Sequence, residues 1–380
     1  MTDRHTIEER RSESHGEPEP ATTQNQAANP TIEIQAPIVR LRPVWTRLVA
    51  AATDSVSDVD SALGEDIDSS VASLSSSILD YHEENGRSYH ALSRGKYVLP
   101  NDETADLQHE LYIRTLRGNL ALCPKSQGAK RVLDIGTGTG LWAIDYEYAA
   151  DANPDAEVRY FPGYPGLVIG VDLSPIQPTF VPPNVTFEVD DLEKEWTWSR
   201  RFDFIFARMM LGCFEDLPRI IQVAYDNLEP GGYLELQDMA LPAQSDDKTL
   251  HPNSHLAEWC RRCFEAGLNL KRPIFPVTEY KNYLAAAGFE DIVEVQKKWP
   301  TNNWPRDREF KDLGILAYAN IAGGLEGLSL AHFTRGLQWT PDQTLLFCMQ
   351  TRDDLRNTSI HAYWPIYFVY GRKPYPAAET

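Results

Sequence analysis

Short apolar runs rich in β-branched and aromatic residues alternate with helix-period stretches through the middle of the chain. Arg131 to Ile135 (RVLDI) reads as a buried strand, and Leu141 to Ala150 as the helix that follows it. A second strand ends at Ile169-Gly170-Val171, a third runs from Val185 to Val189, a fourth from Phe202 to Ala207 and a fifth from Tyr233 to Gln237. Between the last two, Pro218 to Asn227 is helical and is stopped by Glu229-Pro230-Gly231-Gly232. Strands separated by helices imply an α/β fold, a parallel sheet covered by helices. Beyond Asp238 the pattern turns helical and irregular as far as about Gln343, and His361 to Arg372 (HAYWPIYFVYGR) reads as a last strand.

Upstream, Ile67, Val71, Leu74, Ile78 and Tyr81 follow a helical period, which predicts a short amphipathic helix, and Pro100-Asn101-Asp102 marks a turn and helix start. Residues 1 to 60 mix Ser, Thr, Glu, Pro and Gln without sustained periodicity, the composition of a disordered tail. With 36 Lys+Arg against 55 Asp+Glu, the net charge of −19 repels phosphate backbones and anionic lipid, which argues against direct nucleic-acid binding. No apolar run approaches the roughly 20 residues of a membrane span, and the N-terminus lacks the apolar stretch of a secretory signal. No membrane association is expected, and the expected location is the cytoplasm, with the nucleus as the alternative. The 5 cysteines are an odd set without a disulfide framework, in keeping with a reducing compartment. Cys260 and Cys263 lack a second Cys or His pair at zinc-site spacing, so they are expected to be two thiols on one helical face, with no metal.

The strongest chemical signal is Asp134-Ile-Gly136-Thr-Gly138-Thr-Gly140, between an apolar strand and a helix. Glycines there let the backbone turn sharply and let a ligand lie against main-chain N–H groups at a helix N-terminus. The spacing is Gly-x-Gly-x-Gly rather than the dinucleotide pattern, and an acid precedes it. That suits a nucleoside without phosphate, because a carboxylate repels phosphate but pairs with a cationic amino-acid tail. Asp172 ends the next strand, where an acid can accept both hydroxyls of a ribose. Asp190-Asp191-Leu192 follows the third strand and can accept from an adenine amino group.

In these segments the chain resembles the class I S-adenosylmethionine-dependent methyltransferases. DIGTGTG is similar to their first motif, VIGVDLSP to the acidic strand-two motif, VDDLEKEW to the adenine motif and LEPGGYLELQD to the strand-five motif. Within that class ENGRSYH, YVLPND, DLSPIQP, NVTFEVDDLEKEWTW and ARMMLGCFED resemble the fungal LaeA-like group, over Ile78 to Lys373. The resemblance implies a Rossmann-like seven-stranded sheet with a helical cap and S-adenosylmethionine as cofactor. It implies that Gly136, Gly138 and Gly140, beside Asp134, line the methionine part, that Asp172 holds the ribose, and that Asp191 and the Leu192 backbone meet the adenine. Arg87, Tyr89 and His90 fall in the segment that would close over the cofactor. The resulting division is a tail over 1–60, an N-terminal helical cap over 61–120, the cofactor-binding core over 121–240, and cap helices with C-terminal strands over 241–380.

Methyl transfer is an in-line displacement that needs position and exclusion of water more than a fixed catalytic group. No catalytic residue is therefore assigned. Where the acceptor must lose a proton, His90, His251 and His255 have the side chain for it. The aromatic segments Trp299 to Trp304 and Tyr363 to Tyr370 are suited to wall an acceptor pocket or to fill the core. Three functions fit: methylation of a small molecule in fungal secondary metabolism, a LaeA-like nuclear regulator acting with partner proteins, and a cofactor-binding protein without catalysis. The intact acids and glycines argue against the third. One stretch departs from the family pattern: Gly140 and Asp172 are 32 positions apart, where about 20 is usual. Arg159 to Val168, with two Pro-Gly turn signals, is expected to be a removable loop.

Overall fold

The computed structural model describes residues 82–84, 87–89, 105–151 and 167–376. The tail, the helix expected over Ile67 to Tyr81 and the turn at Pro100-Asn101-Asp102 lie outside the described residues. A short antiparallel hairpin, β1 (His82–Glu84) and β2 (Arg87–Tyr89), precedes helix α1 (Ala105–Thr115). The core then follows the predicted order: β3 (Arg131–Ile135), α2 (Leu141–Asp151), β4 (Leu167–Asp172), β5 (Val185–Val189), β6 (Phe202–Arg208), α3 (Leu217–Asn227) and β7 (Leu228–Met239). The C-terminal part adds α4 (His255–Asn269), α5 (Tyr280–Ala287), β8 (Glu290–Pro300), α6 (Arg308–Gly336), α7 (Pro341–Arg356) and β9 (Tyr363–Arg372). The seven strands β3 to β9 form one sheet in the order β5-β4-β3-β6-β7-β9-β8. Its first five are parallel, and β9 runs antiparallel between β7 and β8. This is the Rossmann-like methyltransferase architecture.

Strand β3 is apolar on both faces because helices cover both, and Val132 and Leu133 are fully buried. On one side Trp142 of α2 stacks on Phe206 with ring centroids 3.7 Å apart; on the other, Ile220, Ile221 and Ala224 of α3 and Leu284 of α5 pack against the sheet. A third cluster joins α1, α4, α6 and α7 to β9 through Trp259, Phe333 and Trp364.

Three expectations are corrected. The stretch before Gln343 was read as helical and irregular, yet it contains β8, whose mixed charges and mostly unburied residues belong to an edge strand. The segment Arg159 to Val168 is not a loop throughout: Leu167 pairs with Arg131, and buried Val168 pairs with both Val132 and Val185. Excising the whole segment would remove the first two rungs of a central strand, so a removable loop ends no later than residue 166, and residues 159–166 lie outside the described residues. Finally, α6 is 29 residues long and apolar enough by length and composition to cross a membrane. Here 61% of its most apolar window is buried against the protein, chiefly under α4 and α7.

Candidate active site

Strand β3 delivers Asp134 to the carboxyl edge of the sheet, and the chain then turns through Gly136, Gly138 and Gly140 with φ of +65°, +57° and +82°. Left-handed values favour glycine at all three, but the surroundings separate them. A Cβ on Gly136 would come within 2.6 Å of Met210 Sδ, and one on Gly140 would overlap the Phe187 ring. A Cβ on Gly138 would meet nothing within 4 Å. At Gly140 an aromatic ring fills the space, at Gly136 only the flexible end of Met210 does, and Gly138 faces open space among the described residues.

The acids converge on this turn. Asp134 is buried and accepts the Thr137 hydroxyl at 2.6 Å; burial raises its pKa to about 7, opposed first by that hydrogen bond and then by Arg208. A cationic ligand group beside it would restore its charge. Asp172, the last residue of β4, accepts the Gly138 N–H at 2.9 Å and the Ser174 N–H at 3.0 Å, and burial raises its pKa too. A carboxylate offers about four lone-pair directions, so acceptor capacity remains for a diol. Gln177 donates from Nε2 to the carbonyls of Gly138 and Ser174, at 2.6 and 2.9 Å, and clasps the turn. Asp191 and Leu192 are both buried just after β5; Asp191 accepts the Glu193 N–H at 3.1 Å.

Next to Asp134 lies a polar chain that the sequence reading did not pick out. Arg208, at the end of β6, donates from Nε to Gln237 at 2.9 Å, from Nη2 to the Leu120 carbonyl at 3.2 Å and from Nη1 to His109 Nδ1 at 3.2 Å. Its guanidinium sits 4.4 Å from the centre of the Tyr112 ring. Because a guanidinium only donates, His109 accepts on Nδ1 and carries its proton on Nε2, which faces Asp145 at 3.0 Å. Burial lowers the Arg208 pKa to about 10, opposed first by Tyr112. The available signal was Arg208 itself, a charged residue directly after the apolar run Phe204 to Ala207.

Other candidates fall elsewhere. Arg87 and Tyr89 lie in β2, which belongs to the part of the chain expected to close over the cofactor, and His90 lies outside the described residues. His251 accepts the N–H of Asn253 in its own loop, and His255, the exposed first residue of α4, stands 4.0 Å from Asp354 on α7. Neither is joined to the glycine turn by a described contact. Trp299 is fully buried and donates to Thr115 at 2.7 Å, so it is a core residue, as are the inward-facing residues of β9. Cys260 and Cys263 are buried free thiols in the cap core, and no cluster of three or more metal-ligand side chains occurs among the described residues.

The donor set fits S-adenosylmethionine: a buried acid for the amino-acid ammonium, a strand-end acid with spare acceptor sites, and an open face at Gly138. Comparison with known proteins agrees. A family model described as a methyltransferase domain matches residues 107–295. The chain is 38% identical over 314 residues to methyltransferase pytC of Aspergillus terreus, covering 82% of this chain and 93% of that protein. It is 36% identical over 302 residues to the secondary metabolism regulator LAE1 of Cochliobolus heterostrophus, 77% of this chain and 94% of that one. Against the protein-methionine methyltransferase laeA of Emericella nidulans it is 30% identical over 302 residues, 77% of each chain.

Proposed function

Because this chain belongs to the class I S-adenosylmethionine-dependent methyltransferases, within the LaeA-like group, we propose that it methylates a small molecule of fungal secondary metabolism. The observation that carries this reading is the 38% identity to pytC across 93% of that protein, a relative named for methyl transfer and not for regulation. When bound, S-adenosylmethionine supplies a methyl group on a positively charged sulfur. Asp134 and Asp172 would hold its polar ends, and Met210 and Phe187 pack the turn from behind. The chain's contribution to rate is to fix the donor and keep water out of the space above the carboxyl ends of β3 and β6.

A second reading has its own support, the 36% identity to LAE1, a regulator by name. Incubation of the purified protein with methyl-labelled cofactor, beside extracted metabolites in one set and protein fractions in another, separates the two. Label in the small-molecule fraction is expected; label confined to protein overturns the first reading in favour of the second. On the first reading the enzyme works in the cytoplasm, and accumulation of a tagged chain in the nucleus would also favour the regulator.

A further inference from the structure

The chain leaves β6 through Met209, whose φ of 57° is a left-handed conformation that a side-chain-bearing residue keeps only under constraint. The constraint comes from β7. Met209 N–H donates to the Gln237 carbonyl at 2.9 Å, and Met210 N–H donates to Asp238 Oδ1 at 2.8 Å. The other carboxylate oxygen, Oδ2, accepts the hydroxyl of Tyr280 at 2.8 Å. Tyr280 is the first residue of α5, which packs with α3 against the sheet, and both it and Asp238 are 1% exposed.

What the turn holds is the cofactor loop. The Met210 thioether occupies the space that a Cβ on Gly136 would need, so the Met210 side chain packs directly against the first glycine of the turn. One buried carboxylate therefore joins three parts: helix α5 through Tyr280, the turn after β6 through Met210, and the glycine turn through the Met210 side chain.

We propose that Asp238 is a positioning residue of the methyl-transfer site, which anchors Met210 against Gly136 and ties that contact to helix α5 through Tyr280. Asp238 does not touch the cofactor; it acts through Met210. The inference goes beyond the choice of acceptor, and its test does not depend on that choice.

The probe is S-adenosylhomocysteine, titrated by calorimetry into the full chain, with thermal stability measured on the same samples. In Asp238→Asn the amide oxygen still accepts the Met210 N–H, so affinity should stay within about threefold of the parent. Asp238→Leu keeps the branched outline but removes both acceptor oxygens, leaving the Met210 N–H and the Tyr280 hydroxyl unpaired, and affinity should fall by about tenfold or more. A structural role alone would lower the melting temperature of Asp238→Leu and leave binding by the remaining folded protein within about threefold, which overturns the proposal. Equal losses in both variants overturn it too, since the amide keeps the acceptor. Should Asp238→Leu fail to fold, Met210→Ala reads the same link from its far end: a loss of about fivefold supports it, and unchanged affinity sinks it.

Discussion

The cofactor turn and the cap differ in the reach of the contacts that hold them. Around the turn short-range bonds fix each acid, Thr137 to Asp134 three residues away, Ser174 to Asp172 two away and Glu193 to Asp191 two away, and two longer ones, Gly138 to Asp172 across 34 positions and Gln177 to Gly138 across 39, join one motif to the next. In the cap the partners are remote: Trp259 reaches Ser329 across 70 positions, Asn302 reaches Leu355 across 53, and Trp299 reaches Thr115 across 184. Arg335 of α6 also pairs with Glu84 of the N-terminal hairpin. A ligand site built from strand ends and the turns after them can be encoded in short motifs, whereas the cap exists only once the chain has folded.

The sharpest way to break this contrast is Trp299→Ala. The indole is fully buried, lies edge-on to Tyr112 with centroids 4.8 Å apart and bonds Thr115. Removing it should cost about 3–5 kcal/mol in urea unfolding, with S-adenosylhomocysteine affinity of the folded fraction unchanged. A stable variant that loses only turnover would restore the aromatic wall of an acceptor pocket.

Within the turn, the three glycines sharpen it further. Gly140→Ala combines a disfavoured φ with overlap on Phe187, and should cost about 2–4 kcal/mol of stability. Gly138→Ala bears only the backbone penalty, about 1 kcal/mol, yet its new methyl points into the open face and should weaken S-adenosylhomocysteine binding the more. Equal losses of stability and affinity in the two variants would erase the distinction between a core-side and a ligand-side glycine. Below Gly140→Ala in size stands Asp172→Ala, expected to weaken cofactor binding by about 1–3 kcal/mol in a calorimetric titration; unchanged affinity removes Asp172 from the site.

The same contrast explains what the sequence disclosed. The parallel strands β3, β4 and β6 are nearly continuous apolar runs, and each of Gly138, Asp172 and Asp191 sits at a strand end or in the turn after it, so order along the chain nearly equals order in the site. Strand β8 was hidden because an edge strand alternates charges with few buried residues, and Leu167 and Val168 were hidden beside a Pro-Gly run. Arg208, His109 and Asp145 carry no local signature: 99 positions separate Arg208 from His109, and only the packing of α1 on the sheet edge brings them together. Asp238 stood in the quoted LELQD motif, but its bond to Tyr280 depends on where α5 docks.

The smallest expected effect at neutral pH comes from His332, on the buried face of α6. Its ring nitrogens have no hydrogen-bond partner among the described residues, and burial lowers its pKa to about 4. Above pH 6.5, the ordinary histidine value, folded and unfolded chains both carry a neutral ring, so His332→Leu should gain only about 1 kcal/mol by removing unpaired polar atoms. As pH falls from 6.5 towards 4, the unfolded chain takes up a proton that the folded ring refuses, and the parent loses stability that the variant keeps. At pH 5.5, one unit below the unfolded value, the gap should be wider by about 1.4 kcal/mol. Asp134 and Asp238 act with the opposite sign: both are raised to about 7, so between pH 7 and 4 the folded chain keeps protons that the unfolded chain has lost, and stability from them rises as pH falls. The two terms oppose each other in the parent, which is why the comparison must be made between parent and His332→Leu at each pH and not along the parent's own profile. Urea unfolding at pH 7.5 and 5.5 decides it: a gap of the same size at both values would mean that the ring is not held neutral in the folded cap.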